Sequence, residues 1–251
     1  MSIALSLETP VARRSAGLWV LPLIAVSIVA GIWIYLQVGS LDTIETRALE
    51  LSKIAEATSQ HINLVVVSTV ATILIGVPLG ILVTRRKAQR ISATVLALAS
   101  SGQAIPSIGV LVLLAILFGV GFWMAIVTLV IYAVLPVLRN TMVGIQQVDP
   151  ALIDAGRGMG MTSGMVLRSI ELPLAVPLIL AGIRIALILN VGVATLATFT
   201  NAGGLGSIIT IGIVLNRLPV LVIGSLLTVA LALLVDWLAS IGELLLHPRG
   251  L

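Results

Sequence analysis

The sequence predicts an all-α polytopic membrane protein with six transmembrane helices. Hydrophobic residues make up 59% of the 251 positions and charged residues only 10%, with a mean hydropathy of +1.21, more apolar surface than a soluble core of this size can bury. The apolar residues gather into six runs of the length that an α-helix needs to cross a ~30 Å hydrocarbon layer, about 17–25 residues. Basic residues fall unevenly on alternate sides of those runs, as orientation in a membrane requires.

The first run, 18–36, follows Arg13-Arg14. It is longer than the ~7–15-residue apolar stretch of a secretory signal and shows no small-x-small cleavage pattern before Leu41, so it reads as a retained span. Residues 39–60 carry Asp42, Glu45, Glu50 and Glu56 and read as an acidic amphipathic segment in water. Spans at 62–83 and 92–118 follow. In the latter, Ser100, Ser101, Gly102, Gln103 and Pro106 interrupt the apolar run, and Pro106 frees a carbonyl one turn earlier. The remaining spans are 122–138, 174–199 and 218–244. With a cytoplasmic N-terminus, ten of the fourteen Lys and Arg lie inside (Arg13, Arg14, Arg85, Arg86, Lys87, Arg90, Arg139, Arg157, Arg168, Arg249), three outside (Arg47, Lys53, Arg217) and Arg184 within a span. Both termini and residues 149–173 are then cytoplasmic. The basic pI near 10.3 follows from this orientation and does not point to nucleic acid.

Residues 149–173 form the longest charged stretch between spans and read as two short helices around a Gly-rich break. Asp149 is a good N-cap and Pro150 suits the first helical position. Gly158 and Gly160 end the first helix, and Thr162 or Ser163 starts a second that stops before Pro173. The spacing of Asp154-Ala155-Gly156, Gly160 and Ile170-Glu171-Leu172-Pro173 resembles the cytoplasmic EAA loop of permease subunits in binding-protein-dependent type I ABC importers. Further stretches are similar to the osmoprotectant branch of that family: Gln103-Ala-Ile-Pro-Ser107, Tyr132-Ala-Val-Leu-Pro-Val-Leu-Arg-Asn-Thr141, 148–161, and Ala202-Gly-Gly-Leu-Gly206. Two positions depart from the family pattern. Asp154 stands for the usual Glu, and Gly156 for the second Ala, which weakens that helix by ~1 kcal/mol.

The resemblance implies a MetI-like core of five helices over residues 57–240, preceded by one helix and the acidic segment (1–56) and followed by a cytoplasmic tail (241–251). It implies a bacterial inner-membrane subunit, embedded in lipid, that moves glycine betaine, choline, carnitine or a similar quaternary amine. Methionine or another small polar solute is the alternative cargo. Its partners would be a separate ABC ATPase, an extracytoplasmic solute-binding protein and a second permease copy or a related subunit. The residues implied to couple to the ATPase are Asp154, Ala155, Gly156, Arg157, Gly160, Ile170, Leu172 and Pro173. The first helix would present Ala151, Ala155 and Gly156 as a small surface, flanked by Asp154 and Arg157.

Several absences bound the chemistry. There is no Gly-x-x-x-x-Gly-Lys-Ser/Thr loop to cradle ATP phosphates, no cysteine for thiolate catalysis or Cys-based zinc sites, and no nucleophile–base pattern. The expectation is a non-catalytic transport subunit without cofactor. His61 and His247 stand apart at the ends of apolar runs, where a structural role is the ordinary one. An ion-gradient-driven secondary transporter would call for repeated half-sequences and pathway carboxylates, and Asp236 is the only deep acid. Polar groups at mid-membrane depth are costly unless paired or wetted, which makes Ser101, Gln103, Pro106, Asn190 and Thr195 candidates for a translocation pathway, with Phe199 as an aromatic beside it. Gln103 and Asn190 serve equally as interhelix bonds. Trp19, Trp33, Trp123 and Trp237 fall at span ends as belt residues do, leaving Tyr132 and Phe199 as pathway aromatics, too few for a cation-binding cage. Arg184 and Asp236 share a depth that permits an ion pair, and snorkelling of Arg184 to the headgroups is the alternative.

Overall fold

A computed structural model of the chain describes residues 11–85 and 88–246, with side chains from residue 19 onward except Gln89. The terminal segments 1–10 and 247–251, with His247 and Arg249, lie outside the described residues, as do Arg86, Lys87 and the side chains of Arg13 and Arg14. The described residues are helical with short connections and contain no strand. In chain order the helices are α1 (Val11–Val38), α2 (Thr43–Ala48), α3 (Leu51–Thr84), α4 (Gln89–Ala104), α5 (Ser107–Phe118), α6 (Phe122–Gln146), α7 (Pro150–Gly158), α8 (Ser163–Val166), α9 (Leu172–Ala194), α10 (Gly206–Val214) and α11 (Leu218–Leu246). A π-turn, Leu167–Glu171, joins α8 to α9, and a 3₁₀ segment, Thr195–Thr200, extends α9.

Five helical stretches are long and apolar enough to cross a membrane alone: 19–38, 51–84, 122–146, 163–200 and 218–246. The span expected at 92–118 is not one helix. It is α4 and α5, bent by 94° across Ile105-Pro106, because Pro106 cannot continue a helix and biases Ile105 to the extended backbone that it adopts. Counted as one crossing, the pair completes six. The acidic segment divides between α2 and the first turns of α3, which begins eleven residues before the expected span. Asp42 caps α2 by accepting from Ile44 and Glu45 N–H, and Glu45 returns a bond to Asp42 N–H. Arg217 pairs with Asp42 at 3.1 Å and ties α2 to the α10–α11 turn.

The helix α6 is central, flanked by α3 on one side and α9 on the other. Water-driven collapse is absent within lipid, so helices there associate by close packing of small residues. Gly76 and Gly80 on α3, one turn apart, supply that contact: a Cβ on Gly76 would sit 2.9 Å from Val137 Cγ1, and one on Gly80 2.7 Å from Thr141 Cβ. On the other side a Cβ on Gly182 of α9 would sit 2.7 Å from Asn140 Cβ and 2.8 Å from Pro136 O. By contrast α1 leans mainly on α11, where Trp19 and Trp237 meet with ring centroids 6.0 Å apart. Only 17% of its membrane window is buried.

Ser52 at the start of α3 and Ser163 at the start of α8 are both exposed. In this cysteine-free chain, Ser52→Cys is expected to react with an impermeant maleimide added outside intact cells and Ser163→Cys only after permeabilisation. Labelling of both from one side would break the six-crossing topology.

Candidate functional site

The charged loop folds as the caps dictate at its start and differs at its end. The Asp149 side chain accepts from Ala151 N–H at 2.9 Å, Pro150 occupies the first turn of α7, and Gly160 turns the chain at φ +85°, a region that disfavours any side chain. Thr162 caps α8 through Met165 N–H. The second helix was expected to stop before Pro173. Instead the chain stays helical from Ser163 to Thr200. Proline is tolerated because the preceding turn widens: Leu172 N–H reaches back to Leu167 O across a π-turn, which relieves the collision an α-turn would force between the Pro173 ring and the carbonyl one turn earlier. The helices α8 and α9 are therefore continuous across one loosened turn.

Of the expected coupling residues, Asp154, Ala155, Arg157 and Gly160 are exposed, and Asp154 and Arg157 lie 3.7 Å apart on the water face. Leu152, Met159 and Met165 expose apolar side chains on the same loop. Gly156 does not join that face. It is buried, and a Cβ there would sit 2.6 Å from Ile170 Cδ1. Two positions of the spaced motif thus meet each other, Gly156 admitting Ile170, while Met161 N–H bonds Gly156 O at 3.1 Å. Leu172 is half-buried and Pro173 exposed.

The expected pathway residues separate into two settings. Ser101, Gln103 and Pro106 lie exposed around the α4–α5 break; Ser101 Oγ donates to Ala97 O at 2.9 Å. Gln103 Nε2 donates to Tyr132 O at 2.7 Å. That carbonyl would be paired with residue 136 in an unbroken α6, but Pro136 has no N–H, so Gln103 closes the gap from the neighbouring helix. Asn190 is fully buried in α9 and its Nδ2 donates to Thr69 Oγ1 of α3 at 3.0 Å, leaving Oδ1 without a hydrogen-bond partner. Gln103 and Asn190 therefore serve different helix pairs. Thr195 is half-buried and bonds Gly192 O, and Phe199 is 52% exposed, both on the 3₁₀ segment that α5 packs against. Tyr132 buries its hydroxyl, which leaves Phe199 as the exposed aromatic of the two.

A sequence profile for binding-protein-dependent transport system inner membrane components matches residues 76–243. The choline transport system permease protein OpuBB of Bacillus subtilis is 39% identical over 194 residues, covering 77% of this chain and 88% of that protein. The osmoprotectant import permease protein OsmW of Salmonella typhimurium is 37% identical over 216 residues, 84% of this chain and all of the relative (100%). Among solved structures, an inward-facing MetNI methionine ABC transporter superposes with a TM-score of 0.69 at 26% identity, covering 79% of this chain and 98% of that one. This chain belongs to the family of binding-protein-dependent transport system inner membrane components.

In this permease the Ala202–Gly206 stretch has a structural explanation. Where α9 tightens to 3₁₀, Thr195 N–H turns to Gly192 O, and Val191 O loses its helical donor. His61 of α3, fully buried, supplies one: Nε2 lies 3.0 Å from Val191 O, and Leu205 N–H points at Nδ1 from 3.2 Å. An amide can only donate, so the ring is neutral with its proton on Nε2. Beside it Gln60 Oε1 accepts from Gly204 N–H at 3.0 Å. Gly203 has φ +78°, and a Cβ there would sit 2.0 Å from Gln60 Oε1.

The structure forms the ion pair that the depth of Arg184 and Asp236 permits. Arg184 binds Asp236 through two nitrogens, with Nη2 2.9 Å from Oδ2, and Glu243 through Nη1 at 3.3 Å. Sequence reasoning passed over Glu243 because it sits two turns further along α11. It also passed over Arg85 and Glu171, which lie 2.7 Å apart; the only signal was an acid inside the Ile-x-Leu-Pro spacing.

Replacing Asn190 with Leu is expected to lower the melting temperature modestly, by about 0.6 kcal/mol of stability, as for an average transmembrane side-chain bond. Gln103→Leu is expected to cost less stability and more transport, because its surroundings are exposed. Uptake and melting temperature measured on the same preparations check both. Reduced uptake per folded molecule in Asn190→Leu would place that residue on the pathway.

Proposed function

We propose that this chain is the non-catalytic permease subunit of an inner-membrane ABC importer for a quaternary-amine osmoprotectant such as choline, glycine betaine or carnitine. The observation that carries the cargo class is the 36–39% identity, over three quarters or more of the chain, to permeases named for those solutes or for osmoprotectants. Methionine is the alternative, supported by the structural likeness to the methionine transporter at lower identity. A secondary transporter is disfavoured because the deep acid of α11, Asp236, is engaged by Arg184 and not free on a pathway.

Energy enters at the cytoplasmic loop. Asp154, Ala155 and Arg157, with exposed Leu152, Met159 and Met165 around them, form a mixed apolar and charged face on α7 and α8. Such a face suits a groove on a separate ATPase. Gly156, Gly160, Ile170, Leu172 and Pro173 give it its shape and its continuity with α9. Cytoplasmic termini, the 57–240 core boundaries and an extracytoplasmic binding protein complete the reading. A second permease copy, or a related subunit, faces the α4–α5 break. In lipid, non-helical backbone is tolerated only against protein or water, and Ser101, Gln103 and Pro106 mark such backbone on an exposed face. They would line the path with Thr195, Phe199 and, if it opens, Asn190. With few aromatics to cage a quaternary ammonium, selectivity resides in the binding protein.

Two measurements test this. Proteoliposomes holding the permease with its ATPase and binding protein should take up labelled choline or betaine and not methionine; uptake of methionine alone would overturn the cargo. Asp154→Lys or Gly160→Leu, the latter forcing a side chain into a left-handed turn, should leave the protein inserted but abolish binding-protein-stimulated ATP hydrolysis. Unchanged stimulation in both variants would remove α7 as the coupling surface.

A further inference from the structure

The π-turn at the base of α9 presents its last two residues to different parts of the molecule. Ile170 reaches α7, where its Cδ1 occupies the space that a Cβ on Gly156 would need. Glu171 turns the other way and is 7% exposed, with Oε2 2.7 Å from Arg85 Nη2. The two atoms make no aligned hydrogen bond, so the contact is close-range attraction between charges. Arg85 is itself anchored. It is the residue at which α3 ends, its Nε donates to Ile81 O at 3.3 Å, and its carbonyl accepts from Ala88 N–H at 2.9 Å in the turn that leads to α4.

Removing Arg85 would leave the buried Glu171 carboxylate without its counterion, which costs more than the pair itself contributes. A π-turn adds a second consideration. It is a loosened turn, of a kind frequent at functional sites and at helix kinks, so the covalent path from α8 into α9 is compliant at the point where movement of α7 would have to pass. The ion pair leaves the chain at the end of that turn and joins α7, through the Gly156–Ile170 contact and Glu171, to the end of α3 and the start of α4.

We propose that Arg85–Glu171 is a positioning contact that carries displacement of α7 into α3 and α4, in parallel with the covalent route into α9. This rests on α7 being the surface that the ATPase moves. The pair then makes the α4–α5 break respond to the ATPase together with α9, and without it hydrolysis and opening of the path run out of step.

The test is a charge-neutralisation cycle in the complete importer, in proteoliposomes with its ATPase and binding protein. Glu171→Gln and Arg85→Gln should each lower the amount of choline moved per ATP hydrolysed by about fivefold or more. The double variant should be no worse than either single one, the mark of two residues acting as one unit. Arg85→Lys, which keeps the charge, should recover most of the loss. Melting temperatures measured alongside separate folding from coupling. A normal ratio of transport to hydrolysis in both single variants overturns the proposal, as does a loss that only follows the amount of folded protein. Asp154→Lys, run in parallel, keeps the two readings apart. If it abolishes stimulated hydrolysis while the Glu171 and Arg85 variants stay coupled, the strut fails and the docking surface stands. If it changes nothing, the docking surface fails, and the strut falls with it.

Discussion

Every backbone amide and carbonyl placed in hydrocarbon must find a partner within the protein, because lipid offers none. The architecture can be read as the consequence of breaking helices under that rule. Pro136 removes a donor from α6, and Gln103 replaces it from α4. The tightening of α9 to 3₁₀ strands Val191 O, and His61 replaces the donor from α3. The same imidazole and its neighbour Gln60 take the two amides of the glycine turn that follows. Pro173 is absorbed by the π-turn. At Pro136 and at the 3₁₀ segment a local fault becomes a fixed contact between two elements, so these faults also set how the helices are placed.

Charge is handled by a second device. Arg184 lies well inside α9, and two carboxylates of α11, two turns apart, hold its guanidinium. An isolated cation at that depth would cost several kcal/mol, and a bidentate carboxylate matches its planar fork. Arg85 and Glu171 form a second pair at the end of α3, held by charge attraction without an aligned hydrogen bond. Both pairs start from α9 or the turn that feeds it, one reaching α11 and the other the end of α3. Among the described residues, the helical stretch that runs on from α8 through α9 therefore carries ion pairs to both α3 and α11.

Much of this was legible in the sequence, and the rest failed for identifiable reasons. Five of the six spans, the loop and its caps followed from hydropathy and from Asp149, Pro150 and Thr162, because caps and apolar length are local properties. The 94° bend at Pro106 did not follow: a proline and four small or polar residues mark a weak place, but the angle is set by what α4 and α5 pack against. Nor did the helical continuity through Pro173, since proline predicts an end unless a π-turn intervenes, and π-turns leave little trace in composition. Gly156 was read as part of an outer face because small residues there suit close contact. They do, but the contact is with Ile170. The short α10 was missed because its apolar run is too brief for a span, and its place depends on Gly212 and Gly224 admitting neighbours from α11 and α10.

Exposure carries a different meaning in such a protein, and that bears on which surface needs a partner. Leu113, Ile116, Leu117 and Phe118 of α5 are all exposed, as are most apolar residues of α1. In water such faces would demand cover. In lipid they demand none, since acyl chains solvate them as well as another helix would. The α4–α5 break is the opposite case. Leu111 is the only buried residue of α5, and α4 buries none among its described side chains, although Gly102 approaches Ile131 closely and Gln103 bonds Tyr132 O, which fasten α4 to α6. At the break lie carbonyls at the end of α4 and amides at the start of α5 that no cap satisfies. Lipid cannot satisfy them either. The small polar break, and not the large apolar faces around it, is what requires water or a second protein surface. The break thus combines exposed polar side chains with helix ends that the membrane itself cannot satisfy.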